Sequence, residues 1–192
     1  DARRVLRRGQ LLALDNRHVV PADAEDGILI NVPQRMLFLF EQGSLRAAWP
    51  ITAGRPDWRT PLGPFTVANR QTDKPWIVPK SIQAEMAREG KPVLPRVEPG
   101  PDNPLGRHWI GLSIPALGIH GTNAPSSIYA LRSHGCIRMH PDDIAQLFDR
   151  VAVGEPGRIV YQPLLMAQGD DGRIWFEANP DPYRKGAGTL GD

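Results

Sequence analysis

Short apolar runs broken by turn-forming residues dominate the chain from Gly27 onward. Ile28-Leu29-Ile30-Asn31-Val32 and Met36-Leu37-Phe38-Leu39-Phe40 are strand-sized runs on either side of Pro33-Gln34-Arg35. Glu41-Gln42-Gly43-Ser44 reads as a hairpin turn into a strand from Leu45 to Thr52. A Gly/Pro-punctuated loop from Ala53 to Pro64 leads into Phe65-Thr66-Val67-Ala68, and two more strand-like runs cover Trp109 to Ile114 and Leu117 to His120. Arg158 to Tyr161 reads as a closing strand. The strongest helical signal begins at Pro141, where Ile144, Leu147, Phe148 and Val151 repeat at i, i+3, i+4, i+7 behind Asp142 and Asp143 in the first turn. A shorter helix is expected over Ser81 to Glu89, with Ser81 as N-cap and Gly90 beyond its end. Residues 91–107 hold five prolines and read as an extended surface loop, of a length associated with function or mobility.

These elements predict a mostly β, β-sandwich-like fold with one or two short helices, and no internal repeat is visible. The domain reading is a lead-in or linker over residues 1–26, a main domain over 27–163 and a C-terminal extension over 164–192. The extension carries one more apolar run, Ile174-Trp175-Phe176, and a Gly-rich end expected to fray. The lead-in clusters Arg3, Arg4, Arg7 and Arg8 ahead of Leu11, Leu12 and Leu14. A solvated basic face accounts for the arginines, and contact with an anionic lipid or polymer is the alternative.

Composition narrows the function classes. The 192 residues are 41% hydrophobic and 23% charged, which suits one globular domain. The 20 prolines and 19 glycines are spread along the chain, in keeping with short elements joined by turns. A net charge of +2, from 23 basic and 21 acidic residues, speaks against a dedicated nucleic-acid binder. No apolar stretch approaches the roughly 20 residues that span a bilayer, and no signal peptide opens the chain. A single cysteine excludes an intramolecular disulfide and any multi-cysteine metal cage.

That cysteine lies in the most informative stretch. His120, His134, Cys136 and His140 crowd into 21 residues, and Ser133-His134-Gly135-Cys136-Ile137-Arg138-Met139 places a glycine directly before the thiol. Glycine lets the backbone turn tightly, and successive N–H groups of such a turn form a nest for an oxyanion. A thiol reacts as its thiolate, so a histidine is needed to activate it, with His120 and His134 as candidates. A structural thiol remains the competing reading. Four N/S ligands from His120, His134, Cys136 and His140 would suit zinc, although their spacing matches no familiar zinc module. His140, just before Pro141, reads rather as a helix-entry residue. His18 and His108 stand alone.

Ile119-His120-Gly121-Thr122-Asn123 followed by Ser133-His134-Gly135-Cys136-Ile137-Arg138-Met139 resembles the signature of the bacterial L,D-transpeptidases, the YkuD or ErfK/YbiS type. Thr52-Ala53-Gly54 through Thr60-Pro61-Leu62-Gly63-Pro64-Phe65 is similar to an upstream segment of that family, and Gly100-Pro101-Asp102-Asn103-Pro104-Leu105-Gly106 to a loop of the ErfK/YbiS branch. The ordered set covers roughly residues 27–163.

The resemblance implies a cysteine acyltransferase of the cell envelope that needs no cofactor and no metal. Cys136 would attack the third residue of a peptidoglycan tetrapeptide stem, release the terminal D-Ala and hold the acyl group. An amine would then take it: a second stem gives a 3→3 cross-link, and a wall-anchored lipoprotein or outer-membrane protein gives an anchor. The resemblance implies His120 as acid/base partner, the Gly121 carbonyl as its orienting group, and backbone amides of His134, Gly135 and Cys136 as the oxyanion hole. Ser133 and Arg138 are expected near substrate, Ser133 steadying the turn and Arg138 pairing with a stem carboxylate or holding the loop through an internal salt bridge. Trp76, Trp109 and Tyr129 are candidates to line a peptide groove, and Lys74, Lys80, Arg55 and Arg59 to frame it. A hydrolytic homologue, either an L,D-carboxypeptidase or an amidase detaching a wall-linked protein, is the alternative, and a non-catalytic peptidoglycan-binding module stands as another class. The implied location is the periplasm of a Gram-negative bacterium, with a signal peptide removed before Asp1.

Overall fold

The computed structural model describes residues 17–22 and 24–184. The arginine cluster and leucines of the lead-in, and the Gly-rich C-terminal end, lie outside the described residues. The elements run β1 (Gly27–Asn31), β2 (Met36–Glu41), β3 (Ser44–Gly54), β4 (Gly63–Thr72), β5 (Trp76–Ile77), α1 (Lys80–Arg88), β6 (Arg96–Val97), β7 (His108–Leu112) and β8 (Gly118–His120). After a 3₁₀ turn at Pro125–Ser127 come β9 (Leu131–Ser133), β10 (Ile137–Met139), α2 (Pro141–Arg150), β11 (Pro156–Val160), β12 (Leu164–Gln168) and β13 (Ile174–Ala178). The fold is mostly β with two helices, as the hydrophobic pattern predicts.

β10 pairs with both β8 and β3, so the strands close a ring in the order β3-β2-β1-β11-β4-β7-β8-β10. Two long strands turn the corners. β3 pairs with β2 up to Pro50, then gives Ile51 and Thr52 to β10. β4 pairs with β11 from Gly63 to Thr66 and with β7 from Val67 onward, across a register shift. The result is two flattened faces that share their edges, the sandwich-like arrangement expected. One core fills the space between them, built on Ile28, Ile30, Leu37, Leu39, Ile51, Ile110, Ile119 and Ile137. α2 lays Ile144 and Leu147 into it, and Val151 just past its end completes the stripe predicted from their spacing. β2 is apolar from Met36 to Phe40 because both its faces are covered there: Met36, Phe38 and Phe40 join Leu29 in a second cluster on the far side.

The segment between β4 and β7 differs most from the sequence reading. α1 begins at Lys80 with Pro79 as its N-cap residue, and Ser81 lies inside it. Proline presets the required backbone, and the amides of Ile82 and Gln83 both donate to the Pro79 carbonyl at 3.0 Å. Gly90 follows the helix in a left-handed conformation, φ +68°. Residues 91–107 are not a free loop. β6 pairs with β5, and the buried Asn103 amide donates to the carbonyls of Lys74, Val97 and Glu98 while its oxygen accepts from Leu105 N–H.

Beyond residue 163 the chain forms the β12–β13 hairpin and then buries Tyr183 in the main core. A polar network fastens the hairpin to the ring. Glu177 accepts from Val19 N–H and from Gln34 Nε2, and Gln34 accepts from Asn31. The sequence reading, lacking these partners, treats the stretch as a tail.

Asn103 carries enough hydrogen bonds that removing them should loosen the whole 91–107 segment. Asn103→Ala is expected to lower stability by about 1–3 kcal/mol in urea unfolding and to expose this segment to limited proteolysis before global unfolding. Unchanged cleavage would show that the strap is held by other contacts.

Candidate active site

The parallel pairing of β8 and β10 sets the site. Ile119 faces Ile137 and His120 faces Arg138. Side chains alternate along a strand, so the two isoleucines enter the core while His120 and Arg138 turn to the opposite face. Cys136, two residues before Arg138, shares that face. All three line one cavity of about 600 Å³, together with Trp58, Trp76, Trp109 and Glu85.

The turn that carries the thiol is tightly hydrogen-bonded. Gly135 has φ +108°, a conformation that favours glycine. Ser133 Oγ donates to the Cys136 carbonyl at 2.5 Å and accepts from Gly135 N–H at 3.2 Å. The Gly135 amide is thus turned toward Ser133 within the loop, and the buried Ser133 hydroxyl is occupied in both directions. The amides of His134 and Cys136 have no hydrogen-bond partner among the described residues. The Gly135 carbonyl accepts from Thr60 Oγ1 at 2.7 Å. In a trans peptide the C=O and the following N–H point in opposite directions, so this contact turns the Cys136 N–H away from Thr60.

His120 is buried against Trp109, with ring centroids 5.8 Å apart and planes 18° from parallel. Its Nδ1 lies 2.6 Å from the Gly121 carbonyl. A carbonyl only accepts, so Nδ1 carries the proton and Nε2 keeps its lone pair in the neutral ring. Burial, followed by the Arg138 charge, pushes the imidazole down to about 4. Burial pushes the Cys136 thiol up, opposed in part by a hydrogen bond to the Gly118 backbone and by Arg138. Sγ lies 3.7 Å from the Ala116 carbonyl. The resting site therefore holds a neutral thiol and a neutral imidazole at pH 7. Arg138 is half-buried, its Nε has no hydrogen-bond partner, and burial pushes its guanidinium below its ordinary value with no carboxylate to oppose it. The internal salt bridge considered for it does not form among the described residues.

The other candidates divide. Trp76, Trp109, Lys74 and Arg55 line the cavity. Tyr129 lies under Arg35 with 4.2 Å between guanidinium and ring, Arg59 sits over Tyr183, and Lys80 stands outside the cavity. His140 caps α2 by accepting from Asp142 N–H at 3.3 Å. The zinc arrangement is not assembled, and no three His, Cys, Asp or Glu side chains converge for a metal among the described residues. His18 pairs with Glu177 and His108 packs on Phe148. No helix among the described residues is long and apolar enough to cross a membrane.

Sequence reasoning missed Glu85. From α1 this carboxylate accepts from both Arg55 and His134, and those two hydrogen bonds hold it below the usual carboxylate range. The His134 ring is thus directed at Glu85 through Nε2 and stands edge-on to Trp58 at 4.5 Å, while His120 turns Nδ1 to the Gly121 carbonyl. A lone glutamate on a short polar helix offers no signal of such a role. Tyr183 and its contact with Thr60 were missed for the same reason of distance along the chain.

The closed β scaffold thus places a cysteine, two histidines and an arginine on one cavity. Residues 25–159 match the model of the L,D-transpeptidase catalytic domain, YkuD, and the chain belongs to that family. It is 34% identical over 173 residues to the probable L,D-transpeptidase ErfK/SrfK of Salmonella typhimurium, covering 89% of this chain and 56% of that protein. It is 32% identical, with the same coverage, to the probable L,D-transpeptidase YbiS of Escherichia coli. The chain thus spans little more than half the length of these relatives. Among solved structures, an L,D-transpeptidase from Mycobacterium smegmatis shares the fold with a TM-score of 0.56 at 22% identity, over 69% of this chain and 57% of that one. The catalytic domain of the Enterococcus faecium L,D-transpeptidase gives 0.54 at 21% identity, over 72% of this chain and all of that domain.

Two outcomes follow from the charge states. Alkylation of Cys136 by iodoacetamide should be slow at pH 7 and rise with a midpoint above the free-cysteine value of about 8.5; a midpoint below about 7 would reveal a resting thiolate–imidazolium pair. His120 is depressed from an ordinary 6.5 to about 4, so between those values the unfolded chain binds the extra proton. The resulting penalty is absent above pH 6.5 and complete below 4. Stability should fall as pH drops through that window, and His120→Gln should flatten the decline in thermal unfolding.

Proposed function

We propose that the protein is a cysteine acyltransferase of the cell envelope acting on peptidoglycan tetrapeptide stems. The observation that carries the reading is the shared face of Cys136, His120 and Arg138 in one cavity: a nucleophile, a neutral base and an unpaired cation. The stem enters with a carboxylate on Arg138. That pairing offsets the positive charge that depresses His120, so the base strengthens as substrate binds. His120 then takes the thiol proton while sulfur attacks the carbonyl of the third residue, and the free amides of Cys136 and His134 meet the developing oxyanion. The Gly121 carbonyl steadies the imidazolium. D-Ala leaves with the proton from His120, and the acyl group rests on Cys136 until an amine takes it.

Acceptors of this chemistry are a second stem's amine, giving a 3→3 cross-link, or the lysine of a wall-anchored lipoprotein or outer-membrane protein. Water as acceptor makes the same site an L,D-carboxypeptidase. The place of action is the periplasm of a Gram-negative bacterium, in keeping with the enterobacterial sources of the curated relatives. The catalytic residues are Cys136 and His120 with the Gly121 carbonyl.

Mass spectrometry of muropeptides after incubation with disaccharide-tetrapeptide tests the reading. A tetrapeptide–tripeptide dimer that vanishes with Cys136→Ala is the expected product; tripeptide monomer alone would mark the hydrolytic activity. Product that persists with Cys136→Ala would remove the nucleophile. Arg138→Ala should raise KM about tenfold or more and move the acidic limb of the pH profile upward, because His120 loses a repelling charge.

A further inference from the structure

The C-terminal segment reaches the thiol-bearing turn through a continuous chain of buried hydrogen bonds. Tyr183 is 2% exposed, and its hydroxyl is used in both directions. It donates to the Gly54 carbonyl at 2.6 Å and accepts from Thr60 N–H at 3.1 Å. Thr60 Oγ1 in turn accepts from Gly54 N–H at 2.9 Å and donates to the Gly135 carbonyl at 2.7 Å. Tyr183 is itself strapped down: its N–H donates to Tyr161 Oη at 2.8 Å, that hydroxyl donates to Asp181 at 2.5 Å, and the two phenol rings stack 5.2 Å apart. A phenylalanine would fill the same space. The hydroxyl is needed only for Gly54 and Thr60.

These contacts converge on one peptide plane. The Gly135 carbonyl and the Cys136 N–H belong to the same planar unit, so whatever holds the carbonyl aims the amide. Gly54 closes the arrangement, since a Cβ there would stand 2.2 Å from the Trp58 carbonyl and 2.6 Å from Thr60 N. Tyr183 lies outside the residues matched by the family model, which end at 159.

We propose that Tyr183 is a positioning residue for acyl transfer, orienting the Cys136 amide through Thr60 and the Gly135 carbonyl. The proposal rests on the reading of Cys136 as nucleophile. It means that the segment after residue 163 completes the active site rather than merely following the domain.

Two reagents that use the same thiol differently provide the test. With p-nitrophenyl acetate, sulfur bonds to the carbonyl carbon as the C=O pair moves onto oxygen; p-nitrophenolate then leaves with its electron pair, and the thiol proton passes to His120. With iodoacetamide, sulfur displaces iodide and no oxyanion forms. Tyr183→Phe should slow acylation about tenfold with KM unchanged, while alkylation stays within about twofold. Thr60→Val should do the same, and the double variant should be no slower than Thr60→Val alone, because the two act in series. Asp181→Asn, which loosens the strap without altering Tyr183, carries the same comparison should Tyr183→Phe not fold. Acylation at the wild-type rate, an equal fall in acylation and alkylation, or multiplicative losses in the double variant would overturn the role of Tyr183. Acylation that survives Cys136→Ala would instead overturn the nucleophile itself.

Discussion

The parallel register between β8 and β10 is the constraint on which the rest of the site depends. Setting Ile119 against Ile137 puts both into the core and sends His120 and Arg138, with Cys136, to the cavity face. A slip of one residue would exchange these faces, burying a guanidinium among isoleucines and exposing two core side chains. The ring protects against that slip because β10 is also paired on its other edge, Arg138 against Thr52 and Met139 against Ile51. Two neighbours must agree on one register, and the core residues Ile51, Ile119, Ile137 and Met139 enforce that agreement.

Around this frame the site is held in an electrically quiet state. Burial disfavours charge on both His120 and Cys136, and the Arg138 cation further disfavours an imidazolium nearby. The opposite charges that do exist on the α1 side are matched internally, with Glu85 shared between Arg55 and His134. Arg138 and Lys74, the latter over the Trp109 ring, are the cavity cations left without a carboxylate among the described residues. A carboxylate bound to Arg138 would offset the positive charge that, after burial, disfavours protonation of His120.

Much of this was legible along the chain because the signals were local. Ile144, Leu147 and Val151 repeat at helical spacing, and α2 buries that stripe. His140 before Pro141 reads as a helix entry and caps the helix. The glycine before Cys136 marks a backbone turn, and Gly135 adopts a positive φ there. Other features had no local signal. Ser133 could contact substrate or brace the turn, and only the three-dimensional placement of the Cys136 carbonyl and the Gly135 amide directs its hydroxyl inward. Glu85 meets His134 across 49 residues, and Tyr183 meets Gly54 across 129. Ser81 looked like a helix cap because serine caps well on average, yet Pro79 had already bent the backbone for the helix.

The sequence by itself determined the fold class, the principal strands, the second helix and the candidate thiol with its candidate histidines. These follow from periodicity, turn chemistry and the intrinsic reactivity of side chains, all properties of a few neighbouring residues. The tertiary structure alone decided that His120, Cys136 and Arg138 share one cavity, that His134 turns to Glu85, and that distant Tyr183 bonds Gly54 and Thr60. Those are questions of hydrogen-bond partnership and desolvation. Their answers depend on groups brought together only when the ring closes and the chain beyond residue 163 folds back against it.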